Sequence, residues 1–146
     1  MAVLVDSNVL IFCIQQEHPW HEQSIRAMAT LLEAGEPACV LLQNIAEFWN
    51  VCTRPLNKNG LGLSPTETEQ RLKNFDLMLT VMHDTPAVYD HWRTIVAKHE
   101  VIGVQVHDAR IAAAMQVHEI SRILTYNPRD FNRYEGITTV HPADIR

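Results

Sequence analysis

Apolar and polar positions along the chain alternate between two rhythms. Val3-Leu4-Val5 is a short continuous apolar run that stops on Asp6, and Val9, Leu10, Ile11 and Phe12 then resume at helical spacing. Pro19 precedes a second helical stretch, "WHEQSIRAMATLLEAGE", closed by Gly35. "PACVLLQ" (37–43) reads as a second strand, and "NIAEFWNVCT" (44–53) as an amphipathic helix stopped by Pro55. "LNKNGLGLS" is a loop punctuated by Asn and Gly. Ser64, Pro65 and early acids are start signals for a helix over "SPTETEQRLKNFDLML". "TVMHD" (80–84) is a third strand candidate, followed by a helix over "TPAVYDHWRTIVAKHEV" (85–101). The last third holds an Ala-rich helix, "VHDARIAAAMQVHEI", a strand "RILTY", a turn "NPRDF" and a final strand "GITTVHP". Strands alternating with helices predict parallel pairing in a three-layer α/β/α sandwich. No repeat, linker or low-complexity segment interrupts residues 1–146, so a single domain is expected.

Composition narrows the class. With 47% hydrophobic and 20% charged residues the chain reads as an ordinary globular protein. No apolar run approaches the ~18 residues of a membrane span, and no secretory signal pattern opens the chain. Cys13, Cys39 and Cys52 are odd in number, lack C-x-x-C spacing and have apolar neighbours, as expected of reduced core residues in the cytoplasm. The net charge of −5 excludes a broad basic surface for non-specific duplex binding. Any contact with nucleic acid must therefore be local, mediated by metal cations, or shared with a partner or second subunit.

The chemistry lies in the acids. Sites in open α/β sheets form beyond the carboxyl ends of the strands, and four acids fall there. Asp6 follows the first strand, Glu47 lies about one turn into the helix after "CVLLQ", Asp108 opens the Ala-rich helix, and Asp130 sits in the turn after "RILTY". Each has an ordinary role open to it: Asp6 and Asp108 are good helix caps, Glu47 a solvated acid, Asp130 a turn residue. Gathered at one edge they repel, by about 4 kcal/mol for two charges ~4 Å apart at an effective dielectric of ~20. Such a cluster takes up protons or binds a cation, and an all-oxygen set suits Mg2+ or Mn2+ better than zinc. A G-x-S-x-G elbow, a P-loop, a dinucleotide fingerprint and H-E-x-x-H are all missing.

"VLVDSNVLI", "NIAEFWNVCTRP", "VHDARIAAA" and "ILTYNPRDF", in that order and over nearly the whole chain, resemble the motifs of the PIN domain, above all the VapC-type toxins of toxin–antitoxin pairs. The resemblance implies an α/β/α fold around a parallel sheet and a Mg2+- or Mn2+-dependent endoribonuclease leaving 5′-phosphate and 3′-hydroxyl ends. It makes Asp6 and Asp108 the principal metal ligands, Glu47 a third ligand or the residue that activates water, and Asp130 the less uniform fourth acid. Asn8 and Thr125 match small polar positions beside the site, with Asn127 in the same turn. It further implies a cognate antitoxin and a homodimer; the negative charge of the crevice leads us to expect an antitoxin arginine among the carboxylates in place of the cation. The rival class is a PIN-fold module that binds RNA or protein without cutting; a phosphoacceptor receiver lacks its late Lys here.

Other residues matter less. Arg54 and Arg110 are candidate phosphate contacts through their planar forks. His18 and His21 lack further zinc ligands nearby, Trp49 and Trp92 are expected in the core, and Trp20 is expected nearer the surface. Residues 56–103 carry no motif.

Overall fold

Three or four residues suffice for each strand because the sheet is covered on both faces. The computed structural model describes residues 1–145. In order it contains β1 (Val3–Val5), α1 (Ser7–Ile14), α2 (His21–Glu33), β2 (Ala38–Leu41), α3 (Leu42–Thr53), α4 (Pro65–Asp76), β3 (Leu79–Met82), α5 (Pro86–Lys98), α6 (Gln105–Val117), β4 (Arg122–Leu124) and β5 (Thr138–Val140). The strands form one sheet in the order β3-β2-β1-β4-β5, every neighbouring pair parallel. The expected α/β/α sandwich is what forms.

Side chains alternate across the strands and seed two cores. Val3, Val5 and Val40 pack with Val9, Leu10, Met28, Leu31 and Phe48 of α1, α2 and α3 on one face. Leu4, Cys39, Leu41 and Ile123 pack with α5 and α6 on the other. The three central strands are almost wholly buried, whereas β3 and β5 at the edges are partly exposed. In α6, Ile111, Ala112, Ala113, Ala114 and Met115 are all buried, because the helix is enclosed on more than one side and small residues admit its neighbours closely. Cys13, Cys39 and Cys52 are free and buried, and burial pushes the Cys13 thiol up to about 12, which keeps it protonated and inert. Trp92 packs on the second core as expected; Trp49 is half-buried and belongs to neither.

Several element ends fall short of the sequence pattern. The second strand stops at Leu41 rather than Gln43, because the Asn44 side chain accepts from the Leu41 N–H at 2.9 Å and starts α3 early. The fifth helix stops at Lys98, since Glu100 turns into the left-handed region at φ 49°. The Ala-rich helix begins at Gln105, which still leaves Asp108 in its first turn.

One topological feature positions everything that follows. From β1 the chain moves outward through β2 to β3, then crosses back to β4 on the other side of β1 and on to β5. The direction of travel therefore reverses between β1 and β4, and a crevice opens there beyond their carboxyl ends.

Candidate active site

Asp6 is the first residue past β1, and Thr125 the first past β4. The two meet across the crevice: the buried Thr125 hydroxyl donates to Asp6 Oδ2 at 2.7 Å. Asn8, two residues beyond Asp6, donates from Nδ2 to Thr125 Oγ1 at 3.3 Å and to Asp6 Oδ2 at 3.4 Å, while its Oδ1 accepts from the Tyr126 N–H at 3.2 Å. The Asn127 N–H donates to Thr125 Oγ1 at 3.0 Å, so Asn127 contributes its backbone. The other Asp6 oxygen accepts from the Ser7 N–H at 2.8 Å at the start of α1. Asp6 thus both caps a helix and presents a carboxylate edge to the crevice.

Glu47 comes from the other side. Its Oε2 accepts from the Ser7 hydroxyl at 2.8 Å and its Oε1 from Gln43 Nε2 at 3.1 Å. Gln43 and Glu47 are four apart on α3 and so share a face; Gln43 also donates to the His107 carbonyl at 2.9 Å, tying α3 to the first turn of α6 beside Asp108. Asp130 closes the short 3-10 turn Pro128–Asp130 and is exposed. It lines a cleft with Asp108, Gln105, Arg129 and Arg133.

Proximity shows in the protonation equilibria. Burial pushes the Asp6 carboxyl up to about 6, with the charges of Glu47 and Asp130 adding to it and the Thr125 and Ser7 hydrogen bonds opposing. Asp108 is pushed up to about 7 by burial first and then by Asp130, Asp6 and Glu47, with Arg133 pulling the other way. Acids far apart in sequence therefore bear on Asp6 and Asp108 through a shared, partly dry space. Their donor set is all oxygen, which fits a hard divalent cation. Among the described residues, however, no three of the His, Cys, Asp and Glu side chains surround one point closely enough to hold an ion together. Mg2+ commonly takes one or two carboxylates and keeps several waters, so this spacing fits a hydrated ion better than four acids closing directly on one centre.

Residues 3–137 match the PIN domain family. The chain belongs to that family. No curated protein matches this PIN domain closely. Among solved structures it is similar to a toxin–antitoxin complex from Klebsiella pneumoniae, with 20% identity over 97% of this chain and 98% of the other and a TM-score of 0.66. It is similar to DNA-bound VapBC from Salmonella typhimurium at 18% identity, with the same coverage and a TM-score of 0.68. A third similar structure is Mycobacterium tuberculosis VapC20, a sarcin-ricin loop cleaving toxin, at 17% identity over 84% of this chain and 87% of that one, TM-score 0.60.

The arginines divide. Arg54 ends α3, and about 18 Å of helix separates it from the first residue of α3 at the strand edge. Its guanidinium donates to the Asn59 carbonyl at 3.1 Å, and Gly60 packs so tightly there that a Cβ would sit 2.0 Å from the Arg54 carbonyl oxygen. It serves its own loop and is not brought to the acids. Arg110 lines the cleft that also holds Glu47, and donates to Asp84 at 2.6 Å. Ser7, Gln43, Arg129 and Arg133 are the site residues that sequence reasoning passed over. Ser7 stands inside the quoted opening motif and Gln43 exactly one helical turn before Glu47, so both left a trace; Arg133 left none.

The Asp6–Thr125 bond spans the switch point, and its removal has a definite expected effect. Thr125→Val keeps the shape and deletes the donor to a buried carboxylate, which should destabilise the fold by about 1–3 kcal/mol. Urea titration at pH 8 reads this directly; an unchanged midpoint would mean the bond contributes nothing.

Proposed function

We propose that this PIN-domain protein is a divalent-metal-dependent endoribonuclease, the toxin of a toxin–antitoxin pair working in the cytoplasm. The observation that carries the reading is that burial first, and neighbouring acids second, push both the Asp6 and the Asp108 carboxyls up at the crevice between β1 and β4. Asp6 and Asp108 would hold Mg2+ or Mn2+, with Glu47 and Asp130 reached through water. Bound there, the ion would supply charge stabilisation at a phosphoryl oxygen and a more acidic water. Glu47, hydrogen-bonded by Ser7 and Gln43, would accept the proton of an attacking water. Asn8 and Thr125 hold Asp6 in orientation. Arg110, Arg129 and Arg133, on the walls of the two clefts, offer local cations to the RNA backbone in a chain whose net charge is −5.

The similar structures support a partner as well as an activity. Toxin–antitoxin complexes are among them, and an antitoxin arginine entering the crevice would replace the cation's charge. A homodimer would place two such crevices on one particle and pool their arginines. No helix among the described residues is long and apolar enough to cross a membrane.

The rival reading, a PIN fold that grips RNA or protein without cutting, draws on the lack of a tight trio of ligating side chains. A metal titration decides between the two. Purified protein is incubated with transfer RNA, messenger fragments and a sarcin-ricin loop oligonucleotide while Mg2+ or Mn2+ is raised from zero. Cleavage that needs the ion, stops in excess chelator and leaves 5′-phosphate ends is the expected result. RNA retention without cleavage at any metal concentration would establish the binding module instead, and cleavage surviving the chelator would overturn the metal assignment.

A further inference from the structure

The acidic crevice has a neighbour. A cavity of ≈ 480 Å³ lies between α5, α6 and the turn after β3, with Asp84, Val88, Tyr89, Trp92, His107 and Arg110 in its walls. His107 and Arg110 also line the cleft that contains Glu47 and Gln43, so the two spaces share a wall. The volume is that of a small-molecule pocket. Its chemistry differs from that of the crevice, being mostly apolar with an ion pair at one side.

Three features suit it to a flat aromatic ligand. Tyr89 is 57% exposed on α5, one turn before Trp92, and lines the cavity with the Arg93 guanidinium 5.9 Å from its ring centroid, so an exposed aromatic ring stands beside a cation. Trp92 is held in orientation by its indole N–H, which donates to the Val106 carbonyl at 3.0 Å. Arg110 engages Asp84 through one guanidinium nitrogen, leaving further donors of the fork unoccupied, and Asp84 keeps an acceptor oxygen. An aromatic wall with a donor–acceptor pair beside it is how proteins stack a base and read its edge.

We infer that this cavity is a nucleobase subsite, receiving an unpaired base of the RNA whose backbone crosses the acidic crevice. The inference rests on the nuclease reading for its direction, because the shared His107–Arg110 wall leads from the subsite to Glu47. Arg110 stands where a phosphate between the two spaces would pass, and its charge complements that phosphate. The segment from Asp84 to Trp92, which carries no sequence motif, thereby becomes the part of the chain that selects which RNA is cut.

The test uses the full chain carrying Tyr89→Ala or Tyr89→Phe, with thermal melts to confirm folding. Each protein is titrated with fluorescently labelled single-stranded RNA in chelator, so that binding is read without cleavage, and then assayed with Mn2+ over a panel of sequences. Tyr89→Ala should weaken binding and raise KM about five- to hundredfold with little change in kcat, as loss of one stacked base does. Tyr89→Phe should restore it, and an abasic substitution in the RNA should abolish the difference between wild type and Tyr89→Ala. Equal RNA binding, KM and sequence preference in wild type and Tyr89→Ala would overturn the subsite while leaving the nuclease intact. Conversion of a dimer to a monomer by Tyr89→Ala, seen by light scattering with RNA binding unchanged, would overturn it in favour of a surface between copies. RNA binding lost in Tyr89→Ala alongside a wild type that never cleaves would retain the subsite and sink the nuclease; a wild type that neither binds nor cleaves RNA would sink both.

Discussion

Asp108→Asn should lower kcat for metal-dependent RNA cleavage by about a thousandfold or more while leaving the protein folded. Asp108 is half-buried in the first turn of α6 and no side-chain hydrogen bond holds it in place, so its exchange for Asn disturbs no structural bond. What it removes is a charge directed at the shared space, and a Mg2+ held by one or two carboxylates has no substitute for a lost one. Asp6→Asn should match it, and the double variant should be scarcely worse than either, because groups that act as a unit are not additive. Ser7→Ala, which only frees Glu47 from one of its two hydrogen bonds, should cost about ten- to a hundredfold. Single-turnover cleavage at saturating Mn2+ measures all four. An Asp108→Asn protein retaining more than about a tenth of the wild-type rate would remove Asp108 from the metal site and return it to the role of a helix-start acid.

How far the sequence reveals such a site depends on the kind of contact. Asp6 is legible because it stands at the carboxyl end of a parallel strand, where open α/β sheets form their sites; Asp108 is legible as a helix-start acid inside a PIN-like motif, although its helix follows α5 and not a strand. Thr125 and Asn8 are marked only by the resemblance to the PIN motifs, although Thr125 directly follows β4 and Asn8 lies in the first turn of α1. Arg54 shows where linear reasoning fails. It is seven residues from Glu47, yet those residues are helical, so the chain carries it along the axis and away from the edge. Gln43 fails for a different reason: the apolar run "CVLL" continues the strand pattern past the point where Asn44 has already turned the backbone into α3. Arg133 could not be read at all, because its place beside Asp108 depends on the path of the loop between β4 and β5, which no periodicity encodes. The aromatic cavity was hidden in the same way, since Tyr89 and Trp92 look like any amphipathic helix until α6 packs against them.

The variant that destroys activity should also make the protein more stable, and the pH dependence says when. Asp6 and Asp108 bind protons more tightly in the folded chain, at about 6 and about 7, than in the unfolded one, where both titrate near 3.8. Below the unfolded value both states are protonated and neither group disfavours folding. As pH rises from about 4 through about 7, the unfolded chain releases these protons first, and stability is lost until the folded carboxyls have ionised as well. The wild type without metal should therefore be less stable at pH 8 than at pH 5. Asp108→Asn abolishes its share of that loss and should gain about 1–2 kcal/mol at pH 8, a figure reduced for a carboxylate that solvent still screens. Asp6→Asn relieves a deeper burial, about 3 kcal/mol by the same conversion, but its amide keeps only one of the two acceptor oxygens, one serving Ser7 N–H and the other Thr125 hydroxyl and Asn8 Nδ2. An orphaned donor takes back about 1–3 kcal/mol, so Asp6→Asn should gain no more than Asp108→Asn, about 0–2 kcal/mol, although its carboxylate is the more buried. Saturating Mg2+ should reverse the order, stabilising the wild type by about 2.7 kcal/mol at a hundred times its dissociation constant and Asp108→Asn by much less. Urea titrations at pH 5 and pH 8, with and without Mg2+, resolve all of these differences. A wild type that grows steadily more stable from pH 5 to pH 8 in chelator would show that the acids do not crowd one another, and the crevice between β1 and β4 would lose its physical reason to bind a cation.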